Sequence, residues 1–345
     1  MPGRPDGEYK TLMTIDHRAV TIYDVARHAH VSVATVSRVV NGQKVREDLA
    51  KRVLASVAIL GFRPNRTAQR LRLTTSHLWA LIVPDFENSF FTRLARGLEQ
   101  ICLPRNTCVF VGSSDDDSQK ERHYLDVAIA ERVGGVVIAP SSDNTDLSGL
   151  IDAGIPVVIV DRALPGNPYD TVLTDNFAGG ALAANYLTSA GYRKTVCIAG
   201  SPNPTSEQRL AGFAATVEKN AMLEIVSVKY GNNRIEGGYA VIRQLLEEGV
   251  VFDSVFATNN LMTIGVIKAL DDWAAMSRDH LGFVGFDLNE IPLLAGKRMA
   301  SIDQNPLDMG RLAGERILFQ QQEQGNAIAE LFEFTPTLGG LNWTL

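Results

Sequence analysis

TIYDVARHAHVSVATVSRVVNG, residues 21–42, is the stretch on which the reading of this 345-residue chain turns. Ile22, Val25, Ala26 and Ala29 recur at i, i+3, i+4 and i+7 and draw one apolar stripe along a helix. Thr21 opens that helix, with Asp24 three residues on as a near match to a capping box. His30 and Val31 break the pattern, Ser32 has the side chain of an N-cap, and Val36, Val39 and Val40 make a second short apolar face before Asn41-Gly42 supplies a left-handed stop. The spacing predicts two short helices joined by a tight turn. The outward face of the second carries Val33, Ala34, Ser37, Arg38 and Asn41. Two apolar residues at an exposed helix start, then a hydroxyl and an arginine, suit the DNA major groove, where thymine methyls take apolar contact and guanine O6/N7 takes a bidentate arginine. On this stretch alone the alternative is a helical hairpin belonging to a larger core.

Charge is segregated in the same sense. Residues 21–76 hold ten Lys/Arg against three Asp/Glu, a net charge of +7. Residues 1–20 balance at zero, so residues 77–345 carry −13 of the total of −6. A basic head on an acidic body is the footprint expected of a DNA-binding module, the acidic remainder discouraging contact elsewhere. At this length, with 45% hydrophobic residues, two or three cores are expected.

Residues 1–20, with Pro2, Gly3, Pro5 and Gly7, read as a flexible tail. Leu49, Val53, Val57 and Leu60 mark a third helix that ends at Gly61 and closes a small core over the first two. Arg63-Pro64-Asn65 stops that pattern, and Asn65 can cap a segment from Arg66 to Leu73, which at eight residues is too short to be stably helical alone in water. Composition by itself makes this segment a basic linker.

Thr21 to Asn41, followed by VREDLAKRVLASVAILGFRPN and RTAQRLR (residues 45–72), resembles the head of a LacI-type (LacI/GalR family) bacterial transcription repressor, and the resemblance runs over nearly the whole chain from Thr21. It implies a helix-turn-helix DNA-binding domain over 21–64 and a hinge helix or linker over 65–77 that folds on DNA, enters the minor groove and wedges Leu71 between central base pairs. The implied DNA contacts are Thr21, Tyr23, Val33, Ala34, Thr35, Ser37, Arg38, Asn41, Asn65, Ala68 and Leu71, with Thr35 and Ser37 on phosphates. The family usually begins the third helix with a serine cap. Arg46 stands there in this chain, so capping is expected to pass to Glu47 or Asp48.

From Trp79 the runs WALIVP, TCVFVG, GGVVIAP, PVVIVD, TVLT, TVCIAG, EIVSVK, DSVFAT and GFVGFD alternate with amphipathic helical stretches, the signature of parallel α/β architecture. Such sheets bind ligands at the carboxyl ends of their strands. The resemblance makes residues 78–345 a two-lobed, periplasmic-binding-protein-like sensor. Its first lobe is expected at about 78–175 and 305–328, its second at about 176–304 and 329–345, with the last strand, near Phe332, in the second.

The chain offers no GxGxxG, Walker A, GxSxG or HExxH pattern, and its six histidines are scattered, so catalysis is not expected. His28 and His30 read as surface or turn residues. Asp115-Asp116-Asp117 reads as negative charge at the start of a helix near Ser118 in preference to a cation site. Cys102, Cys108 and Cys197 form no CxxC pair and lie in apolar contexts, which favours buried reduced thiols; no metal and no cofactor is expected. Neither a signal peptide nor an apolar run of membrane-spanning length is present, which points to a cytoplasmic location.

The predicted strand ends carry Asn88, Phe90 and Phe91, then Asp161-Arg162, Arg209, Asn259, Asp287 and Gln304. Each type alone is ordinary. Together they offer aromatic faces and a ring of charged and amide partners, as a polyhydroxylated ligand leaving water requires. The set is similar, position by position, to the pocket of ribose-binding proteins and sugar-responsive LacI-type repressors. One departure is Asn259-Asn260, where the family commonly has Asn-Asp, which points to a weaker helix cap or hinge support. The reading is a ligand-responsive repressor of carbohydrate-use genes, released by a sugar or sugar derivative. It binds a pseudo-palindromic operator in double-stranded DNA as a homodimer, since the LGGLNWTL terminus has no heptad repeat for a tetramer. The alternatives are a purine-type regulator whose ligand acts as corepressor and, from another class, a transport-type sugar-binding protein or a sensor-fused enzyme.

Overall fold

Thr21 makes the full capping box in the computed structural model, its side chain accepting from Asp24 N while the Asp24 carboxylate accepts from Thr21 N at 3.0 Å. The structure describes residues 20–40, 43–62, 76–166, 168–220, 222–273, 281–288, 299–323 and 328–340. It divides into two compact units, residues 1–74 and 75–345. The stop at Asn41-Gly42, the tail before Val20 and the hinge segment up to Thr75 lie outside the described residues.

In the first unit α1 (Ile22–Ala29) ends at His30, which takes the left-handed conformation at φ 51°. Helix α2 (Val33–Val40) begins at Ser32, whose Oγ accepts from Thr35 N at 3.2 Å. Helix α3 (Glu47–Leu60) stops at Gly61, φ 62°. Val25, Ala26, Ala29, Val36, Val53 and Phe62 are the buried core. Each of the four valine and phenylalanine side chains stabilises by about 1.5–3 kcal/mol when fully buried and the two alanines by less, so the core is small. Arg52 Nη2 ties α3 across by donating to the carbonyls of Ala29 and His30 at 2.6 and 2.9 Å, two of the orphan acceptors at the α1 terminus. Capping of α3 does not pass to Glu47 or Asp48. Arg46 is the cap residue without a side-chain cap bond, and its guanidinium instead clamps Asp48 through two 2.7 Å bonds.

The second unit holds two six-stranded sheets. The first lobe runs β1 (Leu78–Val83), α4 (Ser89–Cys102), a 3-10 turn at Leu103–Arg105, β2 (Cys108–Ser113), α5 (Ser118–Ala130), β3 (Val136–Ile138), α6 (Ser148–Asp152), β4 (Val157–Val160) and β5 (Asp170–Thr174). The second runs α7 (Asn176–Ser189), β6 (Lys194–Ala199), α8 (Pro204–Lys219), β7 (Glu224–Tyr230), α9 (Ile235–Glu247), β8 (Ser254–Ala257), α10 (Asn260–Asp272), β9 (Gly282–Phe286) and β10 (Met299–Asp303). The chain then returns for α11 (Pro306–Glu323), whose Met309, Ala313 and Ile317 pack with Trp79, Leu81 and Leu94 in the first lobe's core.

The strand near Phe332 does not belong to the second lobe as expected. β11 (Leu331–Phe334) pairs in parallel with β5 in the first. The third crossing falls after it, and β12 (Thr337–Gly340) adds the one antiparallel edge to the second sheet, beside β10. The short stretch of alternating residues from Leu331 has no signal for which sheet receives it, since either edge can pair with it. Both lobes end their parallel strands on the same cleft, where the crossings also run. Among the described residues no helix is long and apolar enough to cross a membrane. Cys102 and Cys197 are buried, their thiols pushed up by burial, but Cys108 is exposed, at the start of an edge strand.

Candidate functional site

Nine residues predicted from strand ends converge: Asn88, Phe90, Phe91, Asp161, Arg162, Arg209, Asn259, Asp287 and Gln304 all line one cavity between the lobes. Asn88 caps α4, its Oδ1 accepting from Phe90 N at 3.0 Å. This fixes the helix start that presents Phe90 and Phe91, whose rings meet edge to face at 5.0 Å. Asp161 follows β4 and Asp287 follows β9, both in the left-handed region at φ 65° and 49°. Such backbone strain in residues other than glycine gathers at functional sites.

Burial governs the electrostatics here. Desolvation raises the Asp161 carboxyl above the usual range, opposed by the positive charges of Arg162 and Arg209. Asp287 is pushed up to about 6 by burial, against the lowering effect of bonds from Gln304 and the nearby Arg209. Arg209 is pulled down to about 10 by its own burial, opposed by Asp161 and Asp287.

Arg209 is held more tightly by protein than its place in the sequence suggested. Nε donates to Asn176 Oδ1 at 2.8 Å, Nη1 to the Thr258 carbonyl at 2.7 Å and Nη2 to Gln304 Oε1 at 2.5 Å. The guanidinium also lies 3.8 Å over the Phe286 ring. Gly180 allows this placement, because a Cβ there would sit 1.9 Å from the Arg209 carbonyl oxygen and force α8 off α7. Gln304 in turn donates to Asp287 from its side-chain amide, and its backbone N–H reaches the other carboxylate oxygen at 3.2 Å. Arg162 differs. Nη1 binds Asp116 at 2.6 Å, while Nε is buried without a hydrogen-bond partner, 3.6 Å from Asp161 Oδ2.

Sequence reasoning missed the other half of the second lobe's wall, namely Asn203, Thr205, Asn232, Asn233, Arg234 and Asn260. A signal existed in Gly231-Asn232-Asn233 after the β7 run, since Gly and Asn are the types that take positive φ, as Asn232 and Asn233 do at 54° and 58°. Gly200 makes room for this turn, as a Cβ there would meet Asn233 Oδ1 at 1.7 Å. The Asn259-Asn260 pair leaves the cap of α10 intact, because Asn259 Oδ1 accepts from Met262 N at 2.9 Å. Asn260 instead bridges the lobes, its amide donating to Asn88 Oδ1 and Ser89 Oγ at 2.9 Å each.

In the first unit Tyr23, Ala34 and Arg38 are exposed, and Thr35 and Ser37 are half-buried. Val33, expected on the outward face, is half-buried against the small core, so the apolar part of that face is chiefly Ala34. The Thr35 hydroxyl is 2.9 Å from Ser32 Oγ, and that of Thr21 donates to Asp24 Oδ2 at 2.6 Å. His28 Nδ1 bonds Ser56 Oγ at 2.9 Å, a packing role between α1 and α3. Asn41, Asn65, Ala68 and Leu71 lie outside the described residues. In the second unit Asp117 caps α5, Asp115 pairs with Lys120 and Asp116 with Arg162, which uses all three carboxylates of the run.

Residues 21–65 match the profile of bacterial regulatory proteins of the lacI family, and residues 79–325 match that of the periplasmic binding protein domain. The ribose operon repressor of Halalkalibacterium halodurans is 32% identical over 306 residues, 88% of this chain and 91% of that one. The chain belongs to the lacI family. As a lacI-family member it is a DNA-binding transcription regulator with a ligand-binding domain. The transcriptional regulator GalS of Salmonella typhimurium is 29% identical to this regulator over 303 residues, 87% of this chain and 89% of that one. Among solved structures, a lac repressor dimer bound to operator and an anti-inducer superposes with a TM-score of 0.78 at 23% identity, covering 93% of this chain and 98% of that one, a likeness of fold.

Proposed function

We propose that this lacI-family regulator represses genes for carbohydrate use and leaves its operator when a sugar or sugar derivative enters the cleft between the lobes. One observation carries the reading: the cleft has one aromatic side, Phe90 and Phe91, and faces it with the amides of Asn203, Asn232, Asn233 and Asn259. The second lobe's own aromatic, Phe286, is covered by Arg209. A purine has two apolar faces and favours stacking on both, whereas a sugar ring has one apolar face and a rim of hydroxyls, and this cleft is two-sided in the same way. Relatives named as ribose operon repressors and GalS lend support, as do a solved LacI family transcriptional regulator with bound ribose and a solved transcriptional regulator in complex with cellobiose.

Asp161 and Asp287 accept from sugar hydroxyls, Asn259 donates, and the unpartnered Nε of Arg162 donates to a ring or hydroxyl oxygen. Arg209 and Gln304 hold Asp287 in place. The cleft leaves about 60 Å³, room for only a few waters, so the lobes part to admit a ring and close around it. A ligand that bridges Asp161 on the first lobe and Asp287 on the second shifts the lobe equilibrium by its difference in affinity for the two states, typically about 1–3 kcal/mol of coupling.

In the head, Arg38 and Ala34 read base edges, with Val33 beside them, while Thr21, Tyr23, Thr35 and Ser37 contact phosphates. Asn41, Asn65, Ala68 and Leu71 complete the contact set by their match to the family. The protein acts in the cytoplasm as a homodimer on a pseudo-palindromic site, a reading supported by the solved lac repressor dimer bound to operator. Thermal-shift screening with sugars, sugar acids and nucleobases tests the ligand class, because a ligand bound only to the folded state stabilises it. Stabilisation by a nucleobase and by no sugar contradicts the proposal.

A further inference from the structure

We propose that the cleft continues outward into a second subsite that takes a further ring of a neutral glycoside, so that the effector is an extended sugar and not a free monosaccharide. This rests on the sugar reading of the inner cleft. Asp85 and Arg234 line both the inner cavity and a larger groove of about 730 Å³ beside it, within the span of about 300–1,000 Å³ usual for small-molecule sites. Asp85 and Arg234 are the two residues that the linings of both spaces share. Arg234, at the start of α9 in the second lobe, donates from Nη1 to Asp85 Oδ2 of the first lobe at 2.8 Å and stands 4.0 Å from Asp115. The Arg234 side chain is 38% exposed, so moving it aside loses little packing, and a sugar hydroxyl donating to Asp85, whose side chain is 14% exposed, would replace the ion pair that this breaks.

The outer groove lies at the carboxyl ends of β1 and β2, where open parallel sheets receive ligands. Its surfaces suit a sugar ring. Phe86 is 47% exposed in a loop facing the groove. Tyr124 lies across the backbone of Gly112, where a Cβ would come within 2.7 Å of its ring, and His123 stands 6.1 Å from it centroid to centroid. Gln119 adds an amide to the rim. Charge narrows the class. Asp85, Glu87, Asp115 and Asp117 outnumber Lys120 and Arg234 along the wall, which opposes phosphorylated or carboxylated sugars and leaves neutral glycosides.

Isothermal titration of the full chain with D-ribose, D-glucose and D-galactose, and with cellobiose and lactose, tests this. The expected result is that a disaccharide binds at least tenfold tighter than either of its component monosaccharides. In Phe86→Ala, an exposed position that leaves the core untouched, that advantage falls at least tenfold while monosaccharide binding is unchanged. Monosaccharide binding with no gain from a second ring, or a gain that survives Phe86→Ala, overturns the outer subsite and leaves the inner one standing. Absence of heat and of thermal shift with all five sugars overturns the sugar reading itself, and the subsite with it.

Discussion

The side-chain amide of Asn260, in the second lobe, donates to Oδ1 of Asn88, in the first, at 2.9 Å, and the same nitrogen reaches Ser89 Oγ at 2.9 Å. One amide thus joins the starts of two helices across the cleft. A carboxylate at this position has no proton to give Asn88. Asn260→Asp is therefore expected to favour parted lobes, losing roughly 1–3 kcal/mol of closure as Asn88 Oδ1 is left facing a charge. Small-angle scattering should record a larger radius of gyration for the variant, with the melting temperature little changed because α10 keeps its cap from Asn259. An unchanged radius contradicts the latch.

The buried Asp287 gives the second unit a dependence on acid. Its carboxyl, pushed up to about 6, holds a proton more firmly in the folded state than in the unfolded chain, where the pKa is about 3.9. Its contribution to stability is therefore fully present below about pH 4, lost as pH rises to about 6, and flat above, at most about 3 kcal/mol in all. Denaturation of wild type and Asp287→Asn between pH 4.5 and 7.5 should show this slope in the first and not in the second. A sugar hydroxyl donating to Asp287 favours the ionised form, so sugar affinity should fall as pH drops below about 6.

Arg209→Ala should destabilise the second lobe on the order of 3 kcal/mol. It strands Asn176 Oδ1, the Thr258 carbonyl and Gln304 Oε1 inside the protein, and buried acceptors without donors cost about 1–3 kcal/mol each before water enters. The variant is accordingly a poor probe of ligand contact, and Arg209→Lys, which keeps the charge but not the fork, should recover only part of the loss in urea denaturation.

Arg38→Ala should weaken binding to a selected operator by roughly ten- to a hundredfold and relax preference at one base position. Competition with random duplexes checks the assignment. An equal loss on both would place Arg38 on a phosphate.

Much of this was legible in the sequence, where local chemistry decides the outcome. The capping box of Thr21 and Asp24, the stop at Gly61 and the cap at Asp117 each depend on neighbours a few residues away. The strand ends exposed nine cleft residues because parallel sheets gather their carboxyl ends. What stayed hidden depends on pairing at long range. Leu331–Phe334 joins β5 and not the second sheet. Arg209 is consumed by Asn176, Thr258 and Gln304, and Asn260 spans to Asn88, over sequence separations no local pattern encodes. Val33 is half-buried because it packs against the core of the head, a contact across helices.

A sugar held between Asp161 and Asp287 is expected to change DNA binding, and fluorescence anisotropy reads that change at equilibrium. A duplex selected by the wild-type chain from random DNA is titrated with wild type and Asp287→Ala, with and without the sugar that gives the largest thermal shift. The expected result is at least tenfold weaker binding by wild type when the sugar is present, and near-normal, sugar-insensitive binding by the variant. Unchanged wild-type affinity with saturating sugar, or a variant that responds at the same sugar concentration as wild type, would contradict it.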